Sequence, residues 1–192
     1  MKILGLSGSL RDGSHNTRLL RGAGKLLPEG VELVVFDRLD AIPPFNEDDE
    51  ATPPEPVRHL KDAIAEADGL LIATPEYNSS IPGVLKNALD WVSRPRASSP
   101  LASKPAAVIG SSTGLFGAVW AQAETRKVLG STGARVIDSE LPIGHADEAL
   151  AENGLPSDSD TREALQALLD ELAELAGAPA RRETAARLQA AA

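Results

Sequence analysis

Three short stretches of this chain concentrate side chains able to bind an anion or a planar polar ring. The first is Leu6-Ser7-Gly8-Ser9-Leu10-Arg11-Asp12-Gly13-Ser14-His15-Asn16-Thr17, directly after the apolar run Met1–Gly5. Ser14 suits the N-cap of a helix starting there, because its hydroxyl can accept from a free N–H of the first turn. A helix N-terminus carries partial positive charge and usually attracts Asp or Glu. From Ser14 through Pro28 there is no acidic residue, whereas Arg18, Arg21 and Lys25 are present. That pattern suits an external anion, above all a phosphate, held by free backbone N–H groups. Ser7, Ser9, Ser14, Asn16 and Thr17 add side-chain donors, and Arg11 adds a charge-assisted bond. The same composition would also serve a loop that only caps a helix.

Three nucleotide and nucleophile motifs come close and fail. A triphosphate loop needs Lys after its second glycine, but Ser14 and His15 follow Gly13. The dinucleotide fingerprint G-x-G-x-x-G is absent, because Ser9 and Leu10 follow Gly8. The nucleophile elbow G-x-S-x-G lacks its last glycine, with Ser9 in that place.

The second stretch is Thr74-Pro75-Glu76-Tyr77-Asn78-Ser79-Ser80-Ile81-Pro82-Gly83. Pro82 fits the first turn of a following helix, and Pro75 stiffens the exit from a strand. Tyr77 is the only tyrosine of the chain. One aromatic ring beside Asn78 and Glu76 suits a planar ligand with polar edges; the alternative is that Tyr77 packs on a neighbour and Asn78 shapes a turn. The third stretch, Gly110-Ser111-Ser112-Thr113-Gly114-Leu115-Phe116-Gly117, allows close backbone approach. Its N–H groups can face a carbonyl edge or developing negative charge, or the loop is only a flexible connection. Trp91 and Trp120 stand at helical positions and read as packing or subunit contacts.

These loops need a scaffold, and the rest of the chain supplies one. Short, nearly continuous apolar runs at Lys2–Leu6, Val31–Phe36, Gly69–Ala73, Ala106–Gly110 and Ala134–Ile137 read as strands covered on both faces. Between and after them run helical stripes: Leu19, Leu20, Ala23, Leu26 and Leu27; Val57, Leu60, Ile64 and Ala67; Leu85, Ala88, Leu89 and Val92; and Leu165 through Ala176. Ala118–Ser131 is expected to be helical with a weaker pattern. Strands alternating with helices predict an α/β doubly wound sheet of five parallel strands, a three-layer α/β/α sandwich. Ligands of such sheets bind outside the carboxyl ends of the strands, where all three loops fall. Asp40–Glu55 reads as an acidic, proline-rich surface excursion and Glu148–Ser159 as a polar loop. The domain is expected to span residues 1–177. The Ala/Arg-rich tail 178–192 reads as a frayed helix, a partner arm or disorder.

Composition narrows the functions. The 192 residues carry a formal net charge of −9, which argues against nucleic acid and anionic membranes as main partners. No apolar run approaches the ~20 residues of a membrane helix, and the N-terminus reads as a strand and not a signal peptide. Absence of cysteine excludes disulfides and thiolate chemistry and fits a cytoplasmic protein. His15, His59 and His145 are widely spaced, with no zinc pattern.

Together the loops resemble the NADPH-dependent FMN reductase family, a flavodoxin-like group that includes quinone, azo and chromate reductases. The matching pieces are Gly8-Ser9-Leu10-Arg11 with Ser14 and Asn16, Pro75-Glu76-Tyr77-Asn78, the run Ile81-Pro82-Gly83-Val84-Leu85-Lys86-Asn87-Ala88-Leu89-Asp90-Trp91, and the Gly114/Gly117 loop. The resemblance runs from Met1 to about Leu141. It implies a bound FMN whose phosphate meets Ser9, Arg11, Asn16 and Thr17, with Ser14 in the same cofactor-binding loop. Pro75, Glu76, Tyr77 and Asn78 would border its ring, mainly through their backbone, with Ser111 and Gly114 on the other edge. It also implies NADPH or NADH as co-substrate, with hydride passing through FMN to a quinone, flavin, azo or similar small-molecule acceptor, and a homodimer or homotetramer. No side chain is expected to act as catalyst. His15 departs from the family, standing where an aromatic residue is common, and Leu115-Phe116 makes the third loop less glycine-rich. Two other readings compete. One is a flavodoxin-type electron carrier that does not oxidise NAD(P)H; the other is an acyl hydrolase using Ser7 or Ser9.

Overall fold

The computed structural model describes residues 1–177. The expected tail 178–192 lies outside the described residues. Three strands form the middle of the sheet: β1 (Lys2–Ser7), β3 (Gly69–Thr74) and β4 (Pro105–Ser111). Nearly every residue in them is buried, as their unbroken apolar runs require when helices cover both faces. With β2 (Glu32–Phe36) at one edge and β5 (Arg135–Val136) at the other, the order is β2-β1-β3-β4-β5, all parallel. This is the flavodoxin-like order, whose ligand crevice lies where β1 and β3 diverge to their crossover helices.

Alternation along the strands divides the core in two. Leu4, Leu6, Leu70, Ile72, Ala106 and Val108 face α2 (Glu55–Glu66) and α3 (Gly83–Val92). Ile3, Leu71, Ala73, Ala107 and Ile109 face α1 (His15–Ala23) and α6 (Ser159–Gly177). Helix α4 (Val119–Ser131) follows the third loop, and its Leu129 joins the first of these cores.

The fifth strand position departs from expectation. Instead of one strand over Ala134–Ile137, β5 pairs only with the start of β4, and β6 (Pro142–Ile143) pairs with its end. The polar run Asp138-Ser139-Glu140 interrupts the ladder between them. Gln122 of α4 fills the gap: Leu141 N–H donates to its Oε1 at 3.2 Å, and its Nε2 donates to Gly117 O at 3.0 Å and Leu141 O at 3.3 Å. Helix α1 also stops at Ala23, although its leucine stripe continues to Leu26 and Leu27. Leu33 occupies the space a side chain at Gly24 would need, so glycine fits there, and beyond it Leu26 and Leu27 pack against the core from a turn. A short helix α5 (Ala146–Ala149) takes the first two residues of the loop expected over Glu148–Ser159, and α6 takes its last.

The excursion Asp40–Glu55 is pinned to α3. Pro43 O accepts from Trp91 Nε1 at 2.8 Å and from Asn87 Nδ2 at 2.9 Å, and Phe45 N–H donates to Asn87 Oδ1 at 2.8 Å. Trp91 is buried and meets Phe45 edge-on, so it is a packing residue.

Candidate cofactor site

The three loops leave the carboxyl ends of β1, β3 and β4 and meet around a cavity of about 160 Å³. Strand pairing brings them there: Ser7 is in register with Ala73, and Thr74 with Gly110. Gly8 N–H donates to Ala73 O at 2.8 Å. A side chain at Gly8 would press on Leu85 and Pro75, so glycine lets the first and second loops close together.

The first loop ends in a built helix N-terminus. Ser14 is extended (φ −67°, ψ 125°), and its hydroxyl accepts from Thr17 N–H at 3.2 Å. The first turn of α1 contains no acidic residue. The N–H groups of His15 and Asn16 donate to nothing among the described residues. The Arg11 guanidinium is exposed and likewise has no hydrogen-bond or ion-pair partner among them. Ser7 Oγ and Thr17 Oγ1 lie 2.7 Å apart and tie strand to helix.

Asn16 works mainly through its side chain, and on protein. Its Nδ2 donates to Ser111 O at 2.8 Å and its Oδ1 accepts from Ser111 N–H at 2.9 Å. This clamp fastens α1 to the end of β4, leaving only the Asn16 backbone N–H for a phosphate. Ser111 is 1% exposed, and its own hydroxyl has no partner among the described residues.

In the second loop, Glu76 turns its carboxylate to α4. That helix starts from Ala118 at φ +61° with no side-chain cap, and Glu76 Oε2 accepts from Trp120 N–H at 3.0 Å and Ala121 N–H at 3.1 Å. Tyr77 and Ser80 exchange both backbone hydrogen bonds across a two-residue turn, with Asn78 (φ 52°) and Ser79 (φ 59°) in the left-handed region. Asn78 tolerates that conformation better than most residues. Glu124 of α4 secures the far end, accepting from Ser80 Oγ at 2.6 Å and Ile81 N–H at 3.3 Å. The Ser80 hydroxyl, then the Ile81 N–H, hold its carboxyl below the ordinary carboxylate range against the smaller opposing cost of desolvation.

The third loop is held from outside. Ser112 N–H donates to Ile143 O, Ala146 N–H to Ser112 O, and His145 N–H to Gly114 O. Gly117 sits at φ +56°, where a side chain would overlap the backbone of Pro142 and Ile143.

The cavity thus joins Ser9, Arg11, Ser14, Asn16, Pro75, Glu76, Tyr77 and Ser111, with His15, Ser112 and Thr113 completing its wall. Thr17 lines a neighbouring cavity shared with Ser7, Ser9 and Arg11. Asn78 and Gly114 stand outside the wall, one in the turn beside it and the other in the loop above it. His15 was not among the expected ligands, and its only sequence signal is its replacement of a common aromatic. Its Nδ1 is buried without a partner among the described residues.

An acid-free helix start, free N–H groups, an unpaired guanidinium and a buried orphan hydroxyl on one wall fit a phosphate-bearing flavin. The fold is that of a flavodoxin-like α/β protein, and the site is suited to a phosphate-bearing ligand. Family comparison agrees: the model of the NADPH-dependent FMN reductases matches residues 1–148. An NAD(P)H-dependent FMN reductase of Pseudomonas aeruginosa is 42% identical over 174 residues, 90% of this chain and 93% of its own. A 2-hydroxy-1,4-benzoquinone reductase of a Burkholderia species is 40% identical over 90% of this chain and 94% of its own. The structure of FerB, a flavoenzyme NAD(P)H:(acceptor) oxidoreductase from Paracoccus denitrificans, superposes with a TM-score of 0.80 at 36% identity, covering 91% of this chain and 96% of FerB. The chain belongs to the NADPH-dependent FMN reductase family.

Proposed function

We propose that this FMN-dependent NAD(P)H oxidoreductase reduces quinones or similar electrophilic small molecules at the junction of the three loops. The observation that carries the reading is the shared wall: a phosphate-ready helix start with Arg11 opens onto the same cavity as Pro75–Tyr77 and Ser111. FMN, when bound, supplies hydride acceptance from the nicotinamide and electron delivery to the acceptor. The chain's residues hold and orient it. The His15 and Asn16 N–H groups and Arg11 meet the phosphate, Ser9 and Ser14 shape the loop around it, and Ser111 offers its hydroxyl. Pro75, Glu76 and Tyr77 give a stiff border on which a ring can rest, with Glu76 and Glu124 anchoring that border to α4. The third loop offers backbone donors toward negative charge that develops on reduction.

Tyr77, Leu115, Phe116 and Trp120 form an exposed apolar surface beside the cavity, with Phe116 and Trp120 stacked edge-on at 5.0 Å. Such a patch on a chain this size fits a subunit contact, so we assign a homodimer or homotetramer built on this face. No helix among the described residues is long and apolar enough to cross a membrane. We place the protein in the cytoplasm, in keeping with its lack of cysteine.

The test is NAD(P)H oxidation by the FMN-loaded protein with and without a benzoquinone acceptor. Acceptor-dependent oxidation supports the reading. A protein that holds FMN but leaves NAD(P)H untouched is an electron carrier instead.

A further inference from the structure

Gln122 of α4 is fully buried and stands outside the cavity wall. Both Nε2 protons and Oε1 are engaged, with Gly117 O at 3.0 Å, Leu141 O at 3.3 Å and Leu141 N–H at 3.2 Å. These contacts reach both ends of the third loop. At its start, a side chain at Gly110 would lie 2.9 Å from Gln122 Cγ and Nε2, so glycine lets the amide rest against the end of β4. Leu141 leads into β6, whose Ile143 O accepts from Ser112 N–H at 3.0 Å. At the far end, Gly117 and Ala118 are both left-handed, at φ 56° and 61°, in a turn closed by Val119 N–H donating to Phe116 O at 3.1 Å. An alanine so placed is strained, and it keeps that conformation only where its surroundings enforce it. Between the two ends, the N–H groups of Thr113 and Gly114 donate to nothing among the described residues. Thr113 lines the cavity with Ser111 and Ser112.

We propose that Gln122 is a positioning residue of the flavin site: without touching the cofactor, its buried amide fixes the third loop so that the free N–H groups of Thr113 and Gly114 stand ready for the negative charge of reduced FMN. The proposal rests on the reading of this cavity as the FMN site. Donors held in place before charge arrives stabilise it without reorganisation, whereas donors on a loose loop must first be ordered by the ligand. Reduction puts negative charge on the flavin ring, so a loosened loop weakens binding of the reduced form more than of the oxidised form. Loss of the Gln122 bonds also strands the Gly117 and Leu141 carbonyls and the Leu141 N–H inside the protein, which lowers stability. That cost is common to both states of the flavin and cancels in the ratio of their affinities. The ratio therefore separates a positioning role from a merely structural one.

The experiment measures the dissociation constants of oxidised FMN and of anaerobically reduced FMN for full-length wild type, Gln122→Met and Thr125→Val, beside urea unfolding of each flavin-free protein. Methionine matches glutamine in length and makes none of its three bonds. Thr125 is also fully buried on α4, its Oγ1 donating to Ala121 O at 2.6 Å, and valine removes that bond without touching the third loop. The expected result is that Gln122→Met weakens oxidised FMN about threefold and reduced FMN about thirtyfold. That change of about tenfold in the ratio lowers the two-electron midpoint potential of the bound flavin by about 30 mV. Thr125→Val keeps the ratio within about twofold of wild type, whatever stability it loses. If methionine abolishes folding, Gln122→Asn, an amide one methylene too short to span Gly117 and Leu141, is read by the same ratio. A ratio for the Gln122 variant within about twofold of wild type overturns the proposal, however far its stability falls. An equal shift of the ratio in Thr125→Val overturns it too, because any loosening of α4 would then suffice. A wild type that binds neither form of FMN overturns the reading of the cavity as well.

Discussion

Arg11 and Asn16 stand five residues apart in one loop and do different work. Arg11 has an exposed guanidinium at the cavity mouth, with no partner among the described residues and available for a charge-assisted bond to phosphate. Arg11→Ala is expected to raise the FMN dissociation constant about 10- to 100-fold, read by flavin fluorescence quenching, while leaving the melting temperature of the flavin-free protein within a degree or two. Asn16 instead closes two hydrogen bonds with the buried Ser111 backbone. Asn16→Ala leaves that N–H and C=O unpaired and is expected to cost about 2–4 kcal/mol in urea unfolding of the flavin-free protein. Equal stability of Asn16→Ala and wild type would remove the clamp from the account. The sequence made the residue types of the loop legible but not their partners. Asn16 and Arg11 both read as phosphate donors, and only the packing of α1 against β4 separates a clamp from a ligand.

At the scale of elements, the second loop is a strut between β3 and α4, held by two carboxylates from opposite sides. Glu124 binds better charged, so its contribution is present above the ordinary carboxylate value of 4.5 and is lost as pH falls through its lowered value in the fold. The melting-temperature advantage of wild type over Glu124→Gln is therefore expected to be full at pH 6 and to vanish well below pH 4. An advantage unchanged across that range contradicts a charged Glu124 at the strut. Gly117 marks the other constrained element. Gly117→Ala must strain a left-handed residue and push Pro142 and Ile143 away, at a cost on the order of 3 kcal/mol by denaturant unfolding. The central strands were legible to within a residue or two, because β1, β3 and β4 are buried on both faces and show it as unbroken apolar runs. The split fifth strand was not. Its two pieces are two residues each, and the gap is bridged by Gln122, whose helical position says nothing of its role. The end of α1 at Ala23 was not legible either, because the leucine stripe runs on to Leu26 and Leu27, which pack against the same core from a turn.

For the whole molecule, the two cores place the carboxyl ends of three buried strands at one edge, so the loops share a cavity without a second domain. The proposed subunit contact uses the exposed side chains of Tyr77, Leu115, Phe116 and Trp120, of which Tyr77 also lines that cavity. Trp120→Glu is expected to shift the protein toward monomer in light scattering after size exclusion, and to expose the cavity mouth to solvent. An unchanged mass excludes this face as the contact. The central claim is that this cavity holds FMN and takes reducing equivalents from a nicotinamide. The visible spectrum of the purified protein, recorded anaerobically before and after NADPH, tests it most directly. Oxidised-flavin bands that bleach on NADPH addition and return with a quinone are the expected result. A protein that takes up no FMN on reconstitution, or whose flavin bands persist with both NADPH and NADH, contradicts it.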